Sequence, residues 1–205
     1  MSMLTNWGYT LTDNDILPPM MDGSDYEAYS GRHDDASRVE LEIAAASAAV
    51  RNFVGWHLFP SASCELSTIV SDARIIFSGR DMLVQLPARY VAEVTEVIID
   101  GVSREHYHID TAGTLRVFGV PFVERYASVV VRYVAGLPEE MMHPIRELVA
   151  HRVTHAMAVP AGITSEASGG ISVTYNANWI NNSRATALAG DNKELLIPYK
   201  VQGVF

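Results

Sequence analysis

The chain has 205 residues with 48% hydrophobic content, and its 24 acidic against 15 basic residues give a formal net charge of −9. That length supports one elaborated domain or two small ones with a sizeable core, and the single cysteine, Cys64, excludes an intramolecular disulfide and a four-thiolate metal site. The acidic balance argues against gripping nucleic acid, which needs cations to displace condensed counterions; without a basic-plus-apolar leader or a run of about 18 apolar residues, a soluble chain is expected.

Residues 1–21 carry turn-formers and the pair Pro18-Pro19, and are expected to form an extended lead-in. A short helix follows, from Asp22 as N-cap through Tyr26 and Tyr29 to Gly31 as the stop. Asp34 and Asp35 open a longer helix, where the dipole favours acids. Its residues Val39, Ile43, Ala46, Val50, Phe53 and Val54 recur at helical spacing, and Ala44, Ala45, Ala48 and Ala49 lie on the other side. Such small residues permit close approach of another helix, so burial on two sides is expected, within the subunit and against a neighbour.

From Cys64 the pattern becomes short and extended. Met82, Val84 and Leu86 alternate, and Val91, Val94, Val97 and Ile99 lead into Asp100-Gly101, a hairpin signal. Tyr107 and Ile109 precede a second turn at residues 110–113, and Leu115 and Val117 resume the alternation. The valine-rich residues 128–136 form the clearest strand. After Pro138, helical spacing returns with Ile145, Leu148, Val149, Val153, Ala156 and Met157, ending before Pro160.

This order predicts an α+β protein: a helical core, with helices near 35–56 and 143–158, into which a small antiparallel β-sheet is inserted, followed by an extended C-terminal arm. The divisions are a lead-in over 1–21, a helical core over 22–60 plus 137–160, a β module over 61–136 and an arm over 161–205. The arm is rich in Gly, Ser, Thr and Asn, with one alternating run at 171–175 and a weak helix near 191–196, and is expected to gain order against a partner.

No catalytic set assembles along the sequence. His151 and His155 stand four apart, but Arg152 and Val153 occupy the places where a zinc protease carries its glutamate. His106 and His108 share one face of a strand without a thiol or carboxylate pattern beside them, and His57 reads as a hydrogen-bonded histidine at a helix end. There is no nucleophile elbow and no phosphate-binding glycine loop, Gly169-Gly170 being too short a signal, and Cys64 has no neighbouring cation to favour its thiolate. No catalytic residue, metal or cofactor is therefore assigned.

Several segments together resemble the head-to-tail adaptor, or head-tail connector, proteins of long-tailed bacteriophages. Residues 41–60, LEIAAASAAVRNFVGWHLFP, are similar to the family's Ala-rich helix ending in an aromatic-Gly-Trp-His turn. Residues 83–102, LVQLPARYVAEVTEVIIDGV, followed by GTLRVFG and SVVVRYVAGLPEEMMHPIRELVAHRV, resemble its sheet and last core helix. Residues 160–175, PAGITSEASGGISVTY, and the terminal LLIPYK are similar to its C-terminal motifs. The motifs follow in the family's order over about three quarters of the chain, with Phe53 standing where many relatives carry a cysteine.

The resemblance implies a virion protein of the neck, at the head-tail interface, assembled in the bacterial host cytoplasm. It would form a dodecameric ring of neighbouring adaptor subunits between the portal protein and the next neck or tail-terminator protein, with DNA passing through unbound and no membrane contact. Ring packing is expected of Ala44, Ala45, Ala48, Ala49 and Trp56. Contacts to the portal or a subunit are expected of Ser165, Glu166, Gly170, Ile171, Ser172, Val173, Thr174, Tyr175, Pro198 and Tyr199. The run at 171–175 would add to a partner's sheet edge or pair within its own β module. The alternatives are a tail-completion or other phage neck protein, and a metal-dependent hydrolase using His151 and His155.

Overall fold

The computed structural model describes residues 3–5, 7–13, 16–120, 123–158, 165–168, 171–174 and 191–201. The chain divides into two compact units: Met1–Leu17 with Val54–Pro138 and Tyr199–Phe205, and Pro18–Phe53 with Glu139–Pro198.

The first unit is built of strands. β1 (Met3–Leu4), β2 (Thr10–Leu11), β3 (Ala62–Ile69), β6 (Val91–Ile99), β7 (Val102–Ser103) and β10 (Ser128–Ala135) form a six-stranded antiparallel sheet in the order β1-β2-β3-β10-β6-β7. β4 (Ile75–Ser78), β5 (Asp81–Gln85), β8 (Tyr107–Ile109) and β9 (Thr114–Val117) form a four-stranded sheet in the order β4-β5-β9-β8. The period of two decides which face is buried. On β10, Val129, Val131, Tyr133 and Ala135 are all but fully buried, and so are Met82 and Val84 on β5 and Leu115 and Val117 on β9.

Turn chemistry sets the register. Ile99 pairs with Val102, so Asp100 and Gly101 alone make the β6–β7 turn, with φ of 51° and 74° as a type I′ turn requires. At the β8–β9 turn, Asp110 Oδ1 accepts from the backbone N–H groups of Ala112 and Thr114. Gly113 there has φ of 84°, and a Cβ would lie 2.3 Å from the carbonyl oxygen of Ala88, so only glycine fits.

The second unit holds the long helices. Helix α1 (Gly23–Ser30) opens with a capping box between Asp22 and Asp25 and stops at Gly31, in the left-handed conformation. Helix α2 spans Ala36–Val54 and α3 spans His143–Ala158. Tyr29 Oη and His143 Nδ1 lie 2.8 Å apart, and Arg38 donates to the carbonyl of Ala156, tying α1 and α2 to α3. β11 (Ser165–Ser168) pairs with β12 (Ile171–Thr174), and α4 (Asp191–Leu196) leads into a single 3₁₀ turn, Ile197–Tyr199.

The expected architecture of a helical core carrying a small inserted sheet is overturned. The protein is β-rich, with two substantial antiparallel sheets, and most of its largest fully buried side chains, including Trp56, Tyr9, Tyr133, Leu11, Leu66, Met82 and Ile99, belong to the strand-built unit. Strands of three to five residues such as β4, β5 and β9 show too few alternations to weigh as core in the sequence, yet paired side by side they bury Ile75, Met82, Val84, Leu115 and Val117. The residues read as a lead-in take part: Leu11 pairs with Cys64 on β3, and Tyr9 and Leu11 are buried.

Candidate functional site

Helix α2 presents two unlike faces. Asp35 Oδ1 accepts the N–H of Arg38 at 2.9 Å, a cap for the first turn. Val39, Ile43, Ala46, Val50 and Val54 are buried, and Phe53 is half-buried. Ser47, on the same side, accepts the N–H of Met20 at 3.0 Å, and Arg51 donates to the carbonyl of Pro18 at 2.6 Å. On the other face Leu41 is 72% exposed, Ala44 and Ala48 are exposed, and Ala45 and Ala49 are half-buried. Leu41, Ala44 and Ala48 follow the i, i+3, i+7 spacing of one helix surface.

Trp56, expected beside the alanines as a ring-packing residue, is instead fully buried. The helix has ended at Val54, and the chain turns at Gly55, with φ of 79°. This sends the indole inward, where Nε1–H donates to the carbonyl of Tyr199 at 2.8 Å.

In the arm, Ser165, Glu166, Ile171, Ser172, Val173 and Thr174 lie on a two-stranded hairpin with Ser165 opposite Thr174 and Glu166 opposite Val173. The strand expected at 171–175 thus pairs with β11 and not with the sheets of its own β module. Gly170 and Tyr175 lie outside the described residues. Pro198 is exposed, whereas Tyr199 is half-buried with its ring 6.2 Å from that of Tyr90. The N–H of Val201 donates to the carbonyl of Val54, so Tyr199 and Val201 are held within the chain's own first unit.

Cys64 is buried, and desolvation pushes its thiol up to about 12, which disfavours a nucleophilic thiolate. Both ring nitrogens of His57 are engaged inside the core, Nδ1 with Tyr9 Oη at 2.7 Å and Nε2 with the carbonyl of Ala135 at 2.8 Å. His106 and His108 are exposed. His151 and His155 are exposed on α3 with ring centroids 4.5 Å apart; partial burial, followed by the neighbouring His151, lowers the His155 pKa. Among the described residues, no three His, Cys, Asp or Glu side chains gather as a group able to hold a metal, and no helix is long and apolar enough to cross a membrane.

One feature escapes the sequence reading. A groove of about 940 Å³ opens at one end of the strand-built unit, between the β3–β4 and β9–β10 connections and the β4–β5 turn, with Val70, Phe77, Val120 and Val123 on its walls and Arg80 and Arg125 beside them. Around this end Phe77, Phe118 and Tyr126 are 43%, 43% and 73% exposed. Nearby arginines are neutralised internally: Arg74 holds the Asp72 carboxyl well below the usual range, and Arg116 lowers the pKa of Asp81. Arg80 and Arg125 have no carboxylate within ion-pair reach among the described residues, and the Arg125 guanidinium lies over the ring of Tyr126. The signal was present as aromatic and arginine residues at turn positions, but only the fold collects them.

No protein-family model matches the chain, and no curated protein matches it.

Proposed function

We propose that the chain is a structural subunit of the neck of a long-tailed bacteriophage. It is a head-to-tail adaptor, arranged as a ring of about twelve copies between the portal and the next neck or tail protein, with the genome passing through the lumen. The ordered succession of motifs suggests this reading. The observation that carries it is the exposed face of α2, where Leu41, Ala44 and Ala48 offer a smooth apolar surface of the kind helices use to pack closely against a neighbour.

The hairpin of β11 and β12 supplies a second contact. A two-stranded ribbon is marginal by itself, and each of its edges presents backbone donors and acceptors to which a portal or neighbouring strand can add. A ring whose subunits each carry −9 repels a passing duplex within the Debye length, which suits a conduit.

Electron microscopy of the purified chain, alone and mixed with isolated portals, tests the proposal. A ring of roughly twelve-fold symmetry seated on the portal is expected. Addition to free tails only would support a tail-completion role instead, and tight binding of linear duplex DNA at physiological salt would count against a passive conduit.

A further inference from the structure

The groove belongs to the strand-built unit and the exposed face of α2 to the other unit, and the two carry opposite charges beside apolar side chains. We propose that the groove of one copy receives α2 of the next copy, with Leu41 as the apolar anchor and Glu40 and Glu42 meeting Arg80 and Arg125. This rests on the ring reading and names the two surfaces that meet in it.

The groove side is apolar at its walls and cationic beside them. Exposed Tyr, Phe and Arg together are the composition enriched at protein interfaces, and here they concentrate at one end of the unit. Five other arginines, Arg32, Arg74, Arg116, Arg132 and Arg146, have carboxylate partners inside the chain. In a chain with an excess of acids, Arg80 and Arg125, like Arg104, have no such partner among the described residues, and these two line the same groove.

The α2 side is the counterpart. Leu41 is 72% exposed, third among the exposed large hydrophobic side chains of the described residues, and lies on a helix of 19 residues. Glu40 is exposed and Glu42 is half-buried, next to Leu41 in the sequence, and neither has an ion-pair partner among the described residues. Subunits of net charge −9 repel one another overall, so contact is favoured where an acidic rim meets local positive charge. Because the two surfaces differ, each copy uses its groove on one neighbour and its α2 on the other. Such a heterologous contact propagates, and closes into a ring where its rotation allows, which a self-complementary contact does not.

Self-association of the full chain is measured by sedimentation velocity, and portal-seated rings are counted by electron microscopy. The double variant R80E/R125E and the double variant E40R/E42R each weaken association by about tenfold or more, and raising the salt weakens the wild type in the same direction. All four substitutions in one chain restore association to within about threefold of wild type, since every interface regains opposite charges. Circular dichroism during heating shows all variants folding alike, as Glu40, Arg80 and Arg125 are exposed and Glu42 is only half-buried. Independently, L41C mixed with V123C under mild oxidation gives a disulfide-linked dimer, which neither variant gives alone.

R80E/R125E assembling as well as wild type, no restoration in the fourfold variant, or no cross-link between the cysteine variants would each overturn the pairing while leaving a ring possible by another contact. A wild-type chain that stays monomeric alone and on portals overturns both the pairing and the ring.

Discussion

The indole N–H of Trp56 donates to the carbonyl of Tyr199 across 2.8 Å, joining a residue two positions beyond the end of α2 to the last turn of the described chain. The N–H of Val201 reaches the carbonyl of Val54 beside it, and Leu196 is fully buried. The C-terminal region therefore has two parts: the paired strands β11 and β12, which the proposed function gives to an outside partner, and a last stretch in which Tyr199 and Val201 bond to the chain's own first unit.

Deleting residues 191–205 is accordingly expected to cost about 2–4 kcal/mol, because the buried indole N–H loses its acceptor and the apolar cover of Leu196 is removed. The measurement is the urea midpoint of unfolding. Replacing 165–174 by a flexible Gly-Ser linker is expected to leave that midpoint within about 0.5 kcal/mol of wild type while abolishing assembly on portals. Equal loss of stability in both variants would sink the division of roles.

Tyr9 and His57 form a buried polar pair. The phenol oxygen accepts the backbone N–H of His57 at 3.0 Å and lies 2.7 Å from Nδ1, while Nε2 faces the carbonyl of Ala135. A carbonyl only accepts, so Nε2 carries the hydrogen and the neutral ring accepts the phenol proton at Nδ1. The substitution Tyr9→Phe removes both hydrogen bonds of the hydroxyl to His57 and should destabilise the fold by about 1–3 kcal/mol, measured by chemical denaturation. An unchanged midpoint would mean that water or another group replaces the hydroxyl.

Asp72 predicts an acid-side loss of stability. Its carboxylate takes the Arg74 guanidinium at 2.8 and 3.0 Å, the Thr68 hydroxyl at 2.6 Å and the Arg74 N–H at 2.9 Å, and these hold its pKa below the ordinary value. Its stabilisation is full above the unfolded-state pKa of about 3.9 and is lost as the pH falls through the lower folded-state value. Asp72→Asn should therefore lower stability at neutral pH by about 1 kcal/mol after solvent screening and flatten the decline below about pH 4. Thermal unfolding across pH 2–7 is the check.

Cys64 should be silent toward thiol reagents. Its side chain is 1% exposed, and burial raises the thiol to about 12. Maleimide labelling at neutral pH is expected to be absent in the folded protein and complete after unfolding in urea. Rapid labelling of the native state would show that β3 opens readily.

Local chemistry was enough for some of this protein. Asp22 and Gly31 mark the ends of α1, the apolar spacing places α2 and α3, and Asp100-Gly101 fixes a two-residue hairpin, because caps, helical period and turn conformations depend on residues a few positions apart. The alanine face of α2 was legible for the same reason, whereas the inward turn of Trp56 was not, since it depends on a carbonyl 143 residues away.

The architecture itself was a long-range matter. Whether short strands remain a small insert or become the larger core depends on pairings such as Leu11 with Cys64 and Val131 with both Leu66 and Val97, which join distant parts of the chain. The groove follows the same rule. Phe77, Arg80, Val120 and Arg125 are ordinary strand-end residues in sequence, and acquire a shared surface only when the β4–β5 turn and the β9–β10 connection are brought to one end of the sheets. The charge of −9 argues against a nucleic-acid grip; tertiary structure decided that two of its arginines line one groove without carboxylate partners among the described residues.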